Sequence, residues 1–139
     1  MLESANLSIT WFLVGLIWII QVVHYPSFAQ VGENEFQSFH QFHTKSITWI
    51  VAPLMTIELL LTLFIVWKTD FDWSYLFPLL MVLGIWASTV FLQIPLHTKL
   101  ALGNDVTTIN KLVSTNWIRT VLWTAKGVWL AWVYAMLKI

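Results

Sequence analysis

The chain has 139 residues, 58% of them hydrophobic and 10% charged, with seven basic and seven acidic side chains and no cysteine. Water-soluble domains carry roughly 25% charged residues, so this composition lacks the polar surface that a soluble fold needs. The neutral balance excludes a basic nucleic-acid-binding face. The absence of cysteine excludes disulfides, thiolate metal sites and c-type haem attachment.

A bilayer core about 30 Å thick takes roughly 20 apolar residues per helix. Four such stretches fit the chain, at about 7–24, 44–67, 75–96 and 117–137, which predicts an all-α, integral membrane four-helix antiparallel bundle in one domain. The first stretch follows Glu3 and no Lys or Arg. A secretory signal has a basic n-region, so residues 1–24 are expected to remain as a span. His24-Tyr25-Pro26 should end it, because a residue before proline is pushed out of the α region. Residues 27–34 then form a loop hinged at Gly32, and Asn34 caps the next helix with Glu35 in its first turn.

Phe36, Phe39, His40 and His43 recur at helical spacing and make an amphipathic lead-in to the second span, where Pro53 should introduce a kink. A short polar turn, Lys68 to Asp72, leads to the third span, which carries Pro78 near its start and Pro95 near its end. Residues 97–115 are expected to form the longest loop, turning at Gly103-Asn104-Asp105, with a short helix around 106–113. Trp11, Trp49, Trp67, Trp73, Trp117 and Trp132 fall near predicted ends, as interfacial aromatic belts do. Trp18, Trp86, Trp123 and Trp129 lie deeper.

Alternating helix direction brings the end of span one, the start of span two and the end of span three to one membrane face. All four histidines, His24, His40, His43 and His97, lie at those positions. That face also carries Lys45, Lys99, Lys111 and Arg119, against Lys68 and Lys138 opposite, so the positive-inside tendency places it in the cytoplasm of a bacterial inner membrane.

His40 and His43 are an i, i+3 pair on one helix face, and two imidazoles so placed can share a metal ion at about 2.0–2.1 Å per bond. His24 and His97 would complete a nitrogen site suited to zinc, copper or iron, or two of the four would ligate haem b. Glu35 or Glu33 is a candidate carboxylate ligand. Gln21 and Gln93 sit one turn inside His24 and His97, as supporting hydrogen-bond donors. A boundary histidine bonded to a carbonyl or to water is the commoner circumstance; here no histidine lies anywhere else.

Glu58 and Lys126 fall within the second and fourth spans, where ionisable groups are expensive unless paired. Glu58 is about 15 residues beyond His43, hence about 22 Å along a helix, too far to ligate the same ion. It pairs with Lys126, fixing helix register, or forms the inner end of a proton path. Arg119, Trp123 and Lys126 share one helical stripe that starts beside Asn116 and could receive an anionic or quinone-like ligand.

His24-Tyr25-Pro26, Pro53-Leu54-Met55 to Glu58, Pro95-Leu96-His97 and Asn116-Trp117-Ile118-Arg119-Thr120 together resemble small bacterial four-span membrane proteins, most of them uncharacterised. They are distantly similar to the anthrone oxygenase-like family. That resemblance implies a four-helix membrane bundle and oxygen-dependent oxidation of a lipophilic aromatic compound. The residues favour a metal- or haem-binding membrane protein, a small oxidoreductase. The alternatives are an accessory subunit or proton-coupled carrier, working as a homo-oligomer or in a larger membrane complex, and a cofactor-independent oxygenase-like enzyme.

Overall fold

A computed structural model describes residues 1–136; Leu137, at the end of the fourth predicted span, and Lys138, counted in the charge balance, lie outside the described residues. Four helical rods account for nearly all of it: α1 Leu2–Gln30, α2 Glu33–Lys68, α3 Trp73–Leu100 and α4 Val106–Met136. No strand occurs among the described residues. The rods form a ring in which α1 packs on α2 and α4, and α3 packs on the same two. Short connections force neighbours antiparallel: the Ser4 hydroxyl near the start of α1 meets the Tyr134 hydroxyl near the end of α4 at 3.2 Å.

α1, α2 and α3 are long and apolar enough to cross a membrane. α4 has the length, but over the described residues its mean hydropathy falls short, lowered by Lys111, Asn116, Arg119 and Lys126. Lys111 is exposed, but from Asn116 onward the polar groups turn inward. Asn116, Arg119, Thr120, Trp123 and Lys126 follow one stripe and are all buried, while Val121 and Val128 on the outer face are more than half exposed. The other rods share this inversion, with Phe12, Val22, Trp49, Leu60 and Phe91 exposed and Asn6, Thr10, Gln21, Glu58 and Thr62 buried.

Two helices run further than the sequence predicts. α1 does not end at His24-Tyr25-Pro26 but continues to Gln30, and α3 passes Pro95 to reach Leu100. A proline inside an α-helix lacks the N–H and clashes with the carbonyl four residues back. Here a π-helical turn, Ile20–His24 or Thr89–Gln93, immediately precedes the proline's own turn. Tyr25 N–H bonds Ile20 O and Ile94 N–H bonds Thr89 O, each five residues back, and the wider turn makes room for the ring one residue on.

The expected loop at 97–115 is thereby reduced to residues 101–105, with 106–115 absorbed into α4. Asp105 caps α4, its carboxylate accepting from Thr107 N–H at 3.1 Å and from the Thr108 hydroxyl. The cap of α2 is Gly32, not Asn34, which lies inside the first turn. Pro53 sits within an unbroken helical run. Asp72 caps α3 through Ser74 N–H at 2.7 Å.

Candidate functional site

The histidines meet as expected from antiparallel threading, and the π turns of α1 and α3 place two of them. His24 Nε2 lies 2.6 Å from His43 Nδ1, and His40 Nε2 lies 3.0 Å from His97 Nδ1. The ring centres of His43 and His97 are 5.7 Å apart, linking the two pairs into one cluster. His40 and His43 are buried, whereas His24 and His97 keep partial exposure. Each N···N contact requires one ring to offer a proton and the other a lone pair, so at least one imidazole of each pair is neutral.

Two residues outside the predicted site complete it. Phe28, fully buried, sets its ring against all four imidazoles, with centres 5.1 Å from His43, 5.3 Å from His24, 6.0 Å from His40 and 6.4 Å from His97. The Tyr25 hydroxyl lies 3.1 Å from His97 Nε2 and accepts from Arg119 Nη2 at 3.2 Å. Because a guanidinium only donates, the partners assign a direction. Arg119 donates to Tyr25, Tyr25 donates to His97 Nε2, and His97 Nδ1–H donates to His40 Nε2.

Behind this chain the amides hold Arg119 in place. Asn116 Oδ1 accepts from Arg119 Nε at 2.9 Å, and Asn116 Nδ2 donates to Gln21 Oε1 at 2.8 Å. Gln21 Nε2 in turn donates to Val113 O at 3.0 Å, and Gln93 Nε2 donates to the Thr115 hydroxyl at 3.1 Å. These side chains lock α4 to α1 and α3 rather than touching the imidazoles directly. Glu35 and Glu33 are exposed in the first turn of α2. Neither joins the imidazoles in a ligand set, and among the described residues no group of three or more His, Asp or Glu side chains is placed to hold a metal ion. His43 Nε2 is buried with no hydrogen-bond partner among the described residues.

Beside the cluster lies a cavity of about 430 Å³. Its walls are mainly apolar, with Ile17, Ile47, Val51 and Met55 prominent, and His40, His97, Tyr25, Gln93 and Arg119 gather polar groups into it. Glu58 and Lys126 are elsewhere. Lys126 Nζ meets Glu58 Oε1 at 2.7 Å, Thr10 Oγ1 at 2.7 Å and Asn6 Oδ1 at 3.2 Å, and Trp123 Nε1 donates to Glu58 Oε2 at 3.0 Å. All three ammonium protons have acceptors.

Compared with protein-family models, curated proteins and solved structures, the chain finds no match.

Proposed function

We propose that this is an integral membrane protein whose four helices all cross the bilayer, and that its histidine cluster binds a transition-metal ion. The inverted distribution of polar and apolar side chains supports the membrane placement, since lipid-exposed faces are apolar and ionisable groups turn inward. It also explains how α4 crosses despite its composition: Arg119 and Lys126 never meet lipid.

The observation that carries the metal reading is the spacing of the nitrogens. Two imidazoles on one ion at about 2.0–2.1 Å per bond stand about 2.9–3.4 Å apart for ligand angles between square and tetrahedral. The pairs His24–His43 and His40–His97, at 2.6 and 3.0 Å, are close to that separation already. Each ring of a pair would turn by roughly 35–45° so that both lone pairs meet at one centre off the N···N line, where the ion replaces the shared proton. The unpartnered His43 Nε2 supplies a further donor atom in the same neighbourhood. An all-imidazole set suits zinc, copper or iron(II). Haem fits less well, because axial ligands on opposite faces of one iron stand about 4 Å apart, twice a bond of about 2 Å.

The test is elemental analysis of protein purified in detergent from metal-replete cells, followed by titration with zinc and copper. About one ion per chain is expected, with loss in the variant His24→Ala/His43→Ala or in His40→Ala/His97→Ala. Metal-free protein that takes up neither ion overturns the reading.

A further inference from the structure

Arg119 is a buried cation with no acid. Its side chain is 6% exposed and it lines the cavity. The ion pairs among the described residues are the Met1 amine with Glu3 and Lys126 with Glu58, and neither involves Arg119. Its protein partners are the neutral Asn116 amide and the Tyr25 hydroxyl, reached through Nε and Nη2. No acceptor among the described residues meets Nη1. Arginine stays protonated in proteins, and an uncompensated charge inside a bundle is expensive. Lys126, about two turns further along the same stripe, shows what this chain does when it compensates a charge internally. At Arg119 it does not.

The cavity supplies the shape of what would compensate it. At about 430 Å³ it falls in the range of small-molecule sites, roughly 300–1,000 Å³, a size suited to one alkyl chain and a small head. Thr48 and Ala52 of α2 and Ile94 and Thr98 of α3 line it and are themselves exposed, so it opens between those two helices. α2 packs closely on the Trp73–Ser88 part of α3 and more sparsely on Ile94–Leu100, where the His40–His97 bond joins the two helices. Trp86 also lines the cavity, and its buried indole N–H has no partner among the described residues.

We propose that the cavity binds a single-chain amphiphile whose oxyanion head pairs with the Arg119 guanidinium while its apolar tail lies along Val51 and Met55. The free Nη1 offers its N–H donors to a carboxylate or phosphate head, in a charge-assisted hydrogen bond. The ligand enters sideways from the membrane, between α2 and α3, head first. This goes beyond metal binding and stands without it.

The experiment uses full-length protein in phosphatidylcholine nanodiscs and a palmitate analogue carrying a chain diazirine, with crosslinks located by mass spectrometry. Label is expected on cavity residues such as Met55 and Trp86, in excess of label on the lipid-facing Phe91. Palmitate or monohexadecyl phosphate should compete, the effective one identifying the head as carboxylate or phosphate, and hexadecanol should not. Arg119→Gln should lower cavity labelling about tenfold, the scale of one lost charge-assisted contact, while Arg119→Lys retains most of it. Equal competition by hexadecanol, or label no denser in the cavity than on Phe91, overturns the proposal. The competition arms use the native chain, so they decide even if Arg119→Gln fails to fold. Running them before and after chelation separates this outcome from that of metal binding.

Discussion

Lys126 and Glu58 face each other at 2.7 Å in the bundle interior, 0% and 1% exposed. Thr10, Asn6, Thr62 and Trp123 ring the pair, and together they tie α4 to α1 and α2. Removing one partner of such a pair strands the other charge, a loss of about 3–5 kcal/mol, whereas removing both can be nearly neutral. Lys126→Met should therefore destabilise the bundle strongly, and Lys126→Met/Glu58→Gln should recover much of the loss. Unfolding in a detergent series measures both. Additive losses would mean that the two charges are not energetically coupled.

Tyr25 connects Arg119 to the imidazoles through one oxygen. Tyr25→Phe keeps the ring against Phe28, at 5.6 Å between centres, and removes only the hydroxyl. His97 Nε2 and Arg119 Nη2 then each lack a partner, a loss of about 1–3 kcal/mol. The specific readout is the ¹⁵N resonance of His97 Nε2, which should move toward that of a free, unbonded imidazole nitrogen. An unchanged resonance would show that Tyr25 does not donate to it.

How much of this was visible in the sequence depends on what each inference assumed. The convergence of His24, His40, His43 and His97 follows from span order alone, which survives errors of several residues at helix ends. The closeness of Glu58 and Lys126 was legible too, because a charge in an apolar span has few places to go. Phe28 was lost. It stands four residues after His24, on the same helix face, but only if the helix passes Pro26. The rule that proline ends a helix holds for α geometry, and the π turn at Ile20–His24 sets it aside. Tyr25 goes with it: in a terminating His24-Tyr25-Pro26 it has no place at the level of the imidazoles, whereas in a continuing helix its hydroxyl reaches His97. The loop expected at 97–115 is five residues in the structure, 101–105, because α3 runs on from Leu96 to Leu100 and α4 already starts at Val106. Glu35 was a plausible ligand by spacing, but its turn faces solvent.

Asp105 holds the first turn of α4 outside the apolar spans. The Thr108 hydroxyl, foremost, then the Thr107 and Thr108 N–H groups and Lys111, hold its carboxyl below the ordinary aspartate value. A depressed folded-state pKa means a contribution present above the unfolded value, about 4, and lost as pH falls through the folded one. Amide exchange at Thr107 and Thr108 should therefore speed up, relative to the rest of α4, only below about pH 4. Asp105→Asn should remove that pH dependence while keeping most of the cap, since asparagine caps comparably. A pH response that persists in Asp105→Asn would point to another group.

Phe71 turns the chain between α2 and α3 at φ +61°, next to Asp70 at φ +50°. The left-handed region is unfavourable for a residue with a Cβ by about 1–2 kcal/mol, and Phe71 is 65% exposed, so little packing offsets it. Phe71→Gly should stabilise the protein by about 1 kcal/mol, the strain relief less the entropy of glycine in the unfolded chain. A lower midpoint for the variant would mean that the Phe71 ring is anchored at the membrane interface more strongly than its exposure indicates.

Pro95 separates stability from site geometry. Proline in a helix interior is about 3 kcal/mol less favourable than alanine, so Pro95→Ala should leave stability unchanged or raise it, by no more than that. Alanine also restores an N–H at position 95, which can bond Phe91 O and let the π turn at Thr89–Gln93 tighten toward α geometry. Tightening rotates everything beyond it by a fraction of a turn and carries His97 away from His40, now 3.0 Å distant. The expected variant is thus as stable as the parent or more so, with the His97 Nδ1 resonance shifted and metal uptake reduced. A variant of unchanged resonance would mean that packing of His97 against Phe28 and Tyr25, rather than the proline, sets the ring. If stability fell while the resonance held, the wide turn would be intrinsic to Thr89–Gln93 and the proline merely compatible with it.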